Sequence, residues 1–210
     1  MIVVAKLIAF INDPFRSWIL SRCVSGTSNG MDAPTLIGML IAMVEHPKRV
    51  QYDLSSLRCA NSGGAPVPPE LLSRVQAGLG CDLLSVYGQT EASPIICQTA
   101  PHDAPADKAE TAGQPLWQVE VRIADPVSGA IMPVGTDGEV QARGYQTMLG
   151  YYEMPEATAQ AFTADGWLRT GDLGVMDDRG YVRITGRLKD MIIRGGENIY
   201  PVEILSLIHI

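Results

Sequence analysis

The distribution of glycine and proline constrains this chain most. Twenty-one glycines and 14 prolines among 210 residues fall in short bursts. Glycine opens backbone angles closed to other residues, and proline removes a hydrogen-bond donor, so each burst punctuates the chain. Such a sequence builds many sharp turns and backbone-lined loops rather than long helices. Hydrophobic types still make up 46% and charged types 19%, so the segments between bursts can bury a core.

Those segments fall into two styles. Residues 33–45 (APTLIGMLIAMVE) are apolar nearly all round, which predicts a helix buried on most sides. A short strand from Leu57 to Asn61 runs into the turn SGGAP. PPELLSRVQAGLG follows as a helix, with proline at its start and Gly78 and Gly80 closing it, and DLLSVYG reads as the next strand. Strand, turn, helix and strand in that order predict a parallel α/β unit with ligand loops at the strand C-termini. After Thr99 the character changes. PHDAPADKAETAGQP has no hydrophobic period and reads as a surface loop. Beyond it come β-like pieces (VEVRIAD, DGEVQARG, DLGVMD, YVRITG, MIIRGG), interrupted by one helix, PEATAQAF.

Charge and cysteine usage exclude some functions. Sixteen Lys plus Arg against 23 Asp plus Glu give −7, the wrong sign for a non-specific nucleic-acid binder. Cys23, Cys59, Cys81 and Cys97 are spaced 36, 22 and 16 apart, which is neither a metal-ligand pattern nor a disulfide framework. Reduced thiols in a cytoplasmic setting are expected. The opening MIVVAKLIAFI is broken by Lys6 and too short to span a bilayer, so a buried strand or helix end is its expected use.

Four loops carry chemistry-bearing residues. Ser62-Gly63-Gly64-Ala65-Pro66 ends a strand with bare backbone against which a flat ligand fits, although a plain tight turn explains it equally well. Tyr87-Gly88-Gln89-Thr90-Glu91 offers a ring to stack on a base, a hydroxyl for a phosphate oxygen and a carboxylate for Mg²⁺. Its plainer reading is a turn opening a short helix capped by Thr90. Asp172, in Thr170-Gly171-Asp172-Leu173-Gly174 ahead of a strand, can accept two hydroxyls of a vicinal diol, or serve as a turn aspartate. Arg187, Lys189 and Arg194 concentrate positive charge in an acidic chain, and Gly195-Gly196-Glu197-Asn198-Ile199-Tyr200-Pro201 reads as a turn leading into a helix.

Taken in order, SGGAP, YGQTE, GWLRTGDLG and GRLKDMIIRGGENIYPVEI resemble the adenylate-forming, AMP-binding superfamily. Within it the chain most resembles the acyl-CoA synthetases for medium-chain fatty acids. The resemblance runs from about Ala33 to Ile204 and includes MLGYY at 148–152. It implies an α/β fold: part of the large N-terminal domain of such an enzyme, and only the start of the small C-terminal domain. The expected divisions are an atypical segment at 1–32, an adenylate-binding α/β piece at 33–99 and a β-rich subdomain at 100–188. A hinge with the start of the C-terminal domain follows at 189–204, then an atypical tail at 205–210.

The implied chemistry is activation of a carboxylic acid by ATP to an acyl-adenylate, then transfer to the thiol of CoA. By resemblance Gly64, Ala65 and Pro66 line the adenine site and Tyr87 stacks on the base. Thr90 bonds the α-phosphate, Glu91 coordinates Mg²⁺, and Asp172 holds both ribose hydroxyls with Arg187 assisting. Lys189-Asp190 matches a hinge, while Gly195, Gly196 and Glu197 match the thiol's entry path. Val86 and Gly88 are candidate walls of the acyl pocket. The chain departs from the family's pattern at two places. Residues 25–30 only superficially resemble the phosphate loop, with no lysine until Lys48, and no residue occupies the family's adenylation-lysine position. The sequence is therefore expected to be a fragment with little turnover alone. The alternatives are an adenylation domain loading a carrier protein, a ligase of aryl acids, or a non-catalytic AMP-binding piece.

Overall fold

The computed structural model describes residues 33–63, 67–190, 192–194 and 197–199. The expectations for residues 1–32 and 205–210 lie outside these. The described residues form two compact units. One comprises residues up to Ser85 with Pro101–Ala109; the other comprises Val86–Ala100 and the residues from Glu110 onward. The chain passes between them after Ser85, within a strand, and again after Ala100 and Ala109.

In the first unit, helix α1 (Ala33–Glu45) follows the expected bounds. Strand β1 (Cys59–Gly63), helix α2 (Pro69–Leu79) and strand β2 (Asp82–Tyr87) follow. Helix α2 shows why sequence reading succeeds here. Pro69 sits in its first turn, where a missing N–H costs nothing, and Leu71, Val75 and Leu79 recur every four residues on the buried face. Gly80 stops it at φ +70°, its N–H bonding Gln76 O at 3.0 Å. Leu40 and Met43 of α1 join Leu71, Val75, Leu79 and Leu83 in one apolar core.

The stretch expected to be a surface loop contains a helix instead, α3 (Pro105–Glu110). Six residues offer no hydrophobic stripe; the helix is fixed by one buried cation. Lys108 Nζ donates to Asp82 Oδ1 at 3.0 Å and to Pro101 O at 2.6 Å, and Ser85 Oγ donates to Lys108 O. Long-range polar pairing of this kind leaves no local periodicity to read.

In the second unit, the last residues of β2 pair antiparallel with β3 (Cys97–Gln98), which pairs antiparallel with β4 (Gln114–Pro115). The strand–helix–strand order expected of β1, α2 and β2 is present, while β3 and β4 are antiparallel additions, since the link 88–96 is too short for a crossover helix. A separate four-stranded antiparallel sheet runs β5 (Val119–Ala124), β6 (Gly138–Gly144), β7 (Leu168–Met176), β8 (Val182–Arg187), with α4 (Pro155–Ala161) between β6 and β7. Ile96, Val119, Ile123, Val140, Leu168 and Val182 form the core beneath it.

Two expectations change in this unit. Asp172 was expected ahead of a strand, but β7 begins at Leu168 and Asp172 lies mid-strand, paired with Arg187 of β8. Gly171 and Gly174 weaken the local strand signal, and flanking β6 and β8 supply it through their ladders, with a bulge at Leu173/Gly174. Glu197–Ile199, expected in a turn entering a helix, forms strand β10, antiparallel to β9 (Ile192–Arg194) with Glu197 opposite Arg194.

Candidate functional site

Strand β2 ends at Tyr87, and the backbone turns sharply there. Gly88 makes the turn possible: a Cβ on it would lie 1.8 Å from Pro94 O. The backbone therefore needs Gly88 for a close approach to Pro94 and Ile95, quite apart from any ligand. Ile96 N–H closes the loop on Tyr87 O at 2.8 Å. Thr90 and Glu91 open a 3₁₀ turn, Thr90–Ala92, preceded by Gln89, whose side chain makes no capping bond. The structure thus replaces the capping role of Thr90 with a position inside the turn, its side chain exposed.

Across the unit, β7 and β8 place Asp172 directly opposite Arg187. Arg187 Nε donates to Asp172 Oδ1 at 2.9 Å, and Tyr87 Oη donates to Asp172 Oδ2 at 2.9 Å. The Asp172 side chain is only 8% exposed, while Arg187 is more than half exposed. Thr170 completes the arrangement: its Oγ1 accepts from Asp172 N–H at 3.1 Å and donates to Val140 O at 2.7 Å. Burial pushes the Tyr87 phenol far above its ordinary value, and the neighbouring Asp172 charge adds to this. The phenol is therefore neutral and a donor at any physiological pH.

A carboxylate offers about four lone-pair sites. Tyr87 and Arg187 take one on each oxygen, leaving one on each for further donors. Two adjacent hydroxyls are the natural complement, since one carboxylate spans a vicinal diol. Three of the sequence-derived residues, from three strands, are thus joined by hydrogen bonds.

Glu91 belongs to a second linked pair. Tyr151 Oη donates to Glu91 Oε1 at 2.7 Å, and Met148 N–H donates to Glu91 O, also at 2.7 Å. Among the described residues, no donor reaches Glu91's second carboxylate oxygen. Among the described residues no group of three His, Cys, Asp or Glu is placed to hold a metal ion. A solitary carboxylate suits Mg²⁺ carried in on phosphates, because that ion keeps its waters and takes one or two protein carboxylates.

The remaining sequence-derived residues divide as follows. Gly64, Ala65, Pro66, Gly195 and Gly196 lie outside the described residues; Glu197 opens β10. Lys189 and Asp190 lie in the 3₁₀ turn Leu188–Asp190. Tyr151 and Thr170 were missed as contributors. MLGYY marks its neighbourhood, but nothing in spacing links Tyr151 to a carboxylate 60 positions earlier. Cys59, Cys81 and Cys97 are free thiols. No helix among the described residues is long and apolar enough to cross a membrane.

Comparison with known proteins fits this geometry. The family described as AMP-binding enzyme matches residues 31–152, and the chain belongs to that family. It is 49% identical over 172 residues to the Bacillus subtilis protein named "Putative acyl-CoA synthetase YngI", covering 81% of this chain and 31% of the relative. It is 40% identical over 172 residues to the mitochondrial medium-chain acyl-CoA ligase ACSF2 of Macaca fascicularis, covering 81% and 28%. Among solved structures, O-succinylbenzoate coenzyme A synthetase (MenE) of Bacillus subtilis, in complex with ATP and magnesium ion, superposes with a TM-score of 0.69 at 34% identity. That match covers 81% of this chain and 34% of that one. The chain spans about a third of the length of the relatives it matches.

Proposed function

We propose that this chain carries the nucleotide-binding part of an ATP-dependent acyl-CoA synthetase, which joins a carboxylic acid to AMP and passes the acyl group to the thiol of CoA. The observation that carries this reading is the buried Asp172 carboxylate, held on one oxygen by Tyr87 and on the other by Arg187, with an acceptor site left on each. In this reading the ribose hydroxyls of ATP or AMP donate to Asp172. Arg187 lies beside them, and Tyr87 presents its ring to the base while its hydroxyl stays on Asp172. Gly64, Ala65 and Pro66 back the adenine.

The first step brings a carboxylate towards a polyanion, so its barrier is largely electrostatic. Mg²⁺ bound with the nucleotide supplies counter-charge to the phosphates, and Glu91 is the residue that would hold it. Thr90, exposed in its 3₁₀ turn, donates its hydroxyl to the α-phosphate. Lys189 and Asp190 serve as the hinge between half-reactions, and Gly195, Gly196 and Glu197 border the path of the CoA thiol. The ACSF2 relative favours a medium-chain fatty acid as substrate. The free thiols of Cys59, Cys81 and Cys97 support a reducing compartment, the cytoplasm in this reading.

The test uses the full-length synthetase that contains these residues, since the chain alone is expected to turn over little. Acid-dependent release of pyrophosphate from ATP, followed by AMP release that requires CoA, is expected, strongest with medium-chain acids. Transfer to a phosphopantetheinylated carrier protein in preference to CoA would overturn the acceptor assignment. ATP consumption indifferent to any carboxylic acid would overturn the reaction.

A further inference from the structure

The loop between β6 and α4 reaches Glu91 by two routes. Met148 N–H fixes the Glu91 backbone carbonyl, and the Tyr151 hydroxyl fixes its carboxylate, both at 2.7 Å. The loop is itself pinned. Tyr151 N–H donates to Thr158 Oγ1 at 2.9 Å, and the same hydroxyl donates to Met154 O at 2.9 Å. Gly150 admits this contact, since a Cβ there would sit 2.8 Å from Thr158 Cγ2. Tyr151 is therefore tied to helix α4 by its backbone N–H and to the Glu91 carboxylate by its hydroxyl. Tyr152, next in sequence, points its ring to solvent instead, at 87% exposure.

We propose that Tyr151 is a positioning residue for a divalent cation: its hydroxyl holds Glu91 by Oε1 so that Oε2 faces the metal that arrives with the nucleotide. This rests on the reading of Glu91 as the Mg²⁺ ligand and adds the residue that orients it. A lone glutamate keeps three side-chain torsions free, and a single carboxylate ligand gains little from a cation unless those torsions are already set. Hydrogen bonds behind a ligating carboxylate have this effect in metal sites generally, and losing one costs about 10–100-fold in affinity. Because the Tyr151 hydroxyl bond is exposed to water, the low end applies, about tenfold.

The experiment measures Mn²⁺ as a paramagnetic stand-in for Mg²⁺, titrated into the chain with ATP and followed by electron paramagnetic resonance. Tyr151→Phe is expected to weaken nucleotide-dependent Mn²⁺ binding about tenfold. AMP binding in EDTA should be unchanged, because Tyr87, Asp172 and Arg187 are untouched. Glu91→Ala is expected to abolish the same Mn²⁺ signal. Wild-type Mn²⁺ affinity in Tyr151→Phe, with Glu91→Ala still deficient, overturns the positioning role and leaves the Glu91 reading standing; tighter Mn²⁺ binding does so too, since it would make Tyr151 a competitor of the metal. A weakening of AMP binding in EDTA by the same factor overturns it as well, marking a general structural effect. A Mn²⁺ signal absent from wild type, or indifferent to Glu91→Ala, overturns both.

Discussion

Replacing Tyr87 with phenylalanine removes one oxygen from the interior and leaves the ring's volume in place. The lost bond, Tyr87 Oη to Asp172 Oδ2 at 2.9 Å, goes to a charged acceptor, a class worth about 1.5–3 kcal/mol. Asp172 keeps Arg187 on its other oxygen, and its 8% exposure gives water little room to replace the phenol. The upper part of that range therefore applies, about 2–3 kcal/mol at pH 7. Urea unfolding of Tyr87→Phe beside wild type reads this as a lower midpoint at an unchanged slope. The pH dependence adds a sharper signature. The native phenol is raised above its ordinary value by burial and by the Asp172 charge. Its contribution is therefore complete below about pH 10, the value in an unfolded chain, and declines as pH rises further. The gap between wild type and variant should close at about 1.4 kcal/mol per pH unit above that point. No gap at pH 7, or one that persists undiminished to pH 11, would refute the buried phenol–carboxylate bond.

Gly88→Ala pushes a methyl group into Pro94 O and should destabilise the protein by about 2 kcal/mol or more, read as a lower urea midpoint, with the β2–β3 turn displaced. Lys108→Met keeps the stem but removes the cation from Asp82 and Pro101 O. A loss of about 2 kcal/mol in urea is expected, reduced from the fully buried case because Asp82 is a third exposed. Arg187→Ala removes the partly exposed member of the Asp172 pair and should weaken AMP binding about five- to tenfold by calorimetry, with a smaller effect on folding.

Local chemistry made much of this fold legible. Helix α2 announces itself through Pro69, the 71–75–79 stripe and Gly80, and each signal lies within one turn of what it controls. Strands β5, β6 and β8 are bounded by turn residues and lie where VEVRIAD, DGEVQARG and YVRITG place them, whereas β7 begins four residues before DLGVMD. Helix α3 was not, because a single lysine reaching back to Asp82 and Pro101 holds it. Asp172 stands out through its motif as a candidate for a diol, yet its placement inside β7 depends on the ladder to β8, where it faces Arg187. Its bond to Tyr87 spans 85 positions and Tyr151's bond to Glu91 spans 60. Motif order pointed to Tyr87, Asp172 and Arg187 as neighbours, and hydrogen bonds join them. It carried no information about which hydroxyl faces which oxygen, since that is settled by packing.

Isothermal titration of AMP and of 2′,3′-dideoxy-AMP into the wild-type and Asp172→Ala proteins tests most directly whether the Asp172 carboxylate seats a ribose. Two charge-assisted bonds of about 1.5–3 kcal/mol each correspond to roughly 10²–10⁴ in affinity if additive. The wild type should prefer AMP over its dideoxy analogue by a factor of that order, and Asp172→Ala, still folded by circular dichroism, should lose both the affinity and the preference. Equal affinity for the two nucleotides in the wild type, or AMP binding untouched by Asp172→Ala, would contradict a ribose seated on Asp172.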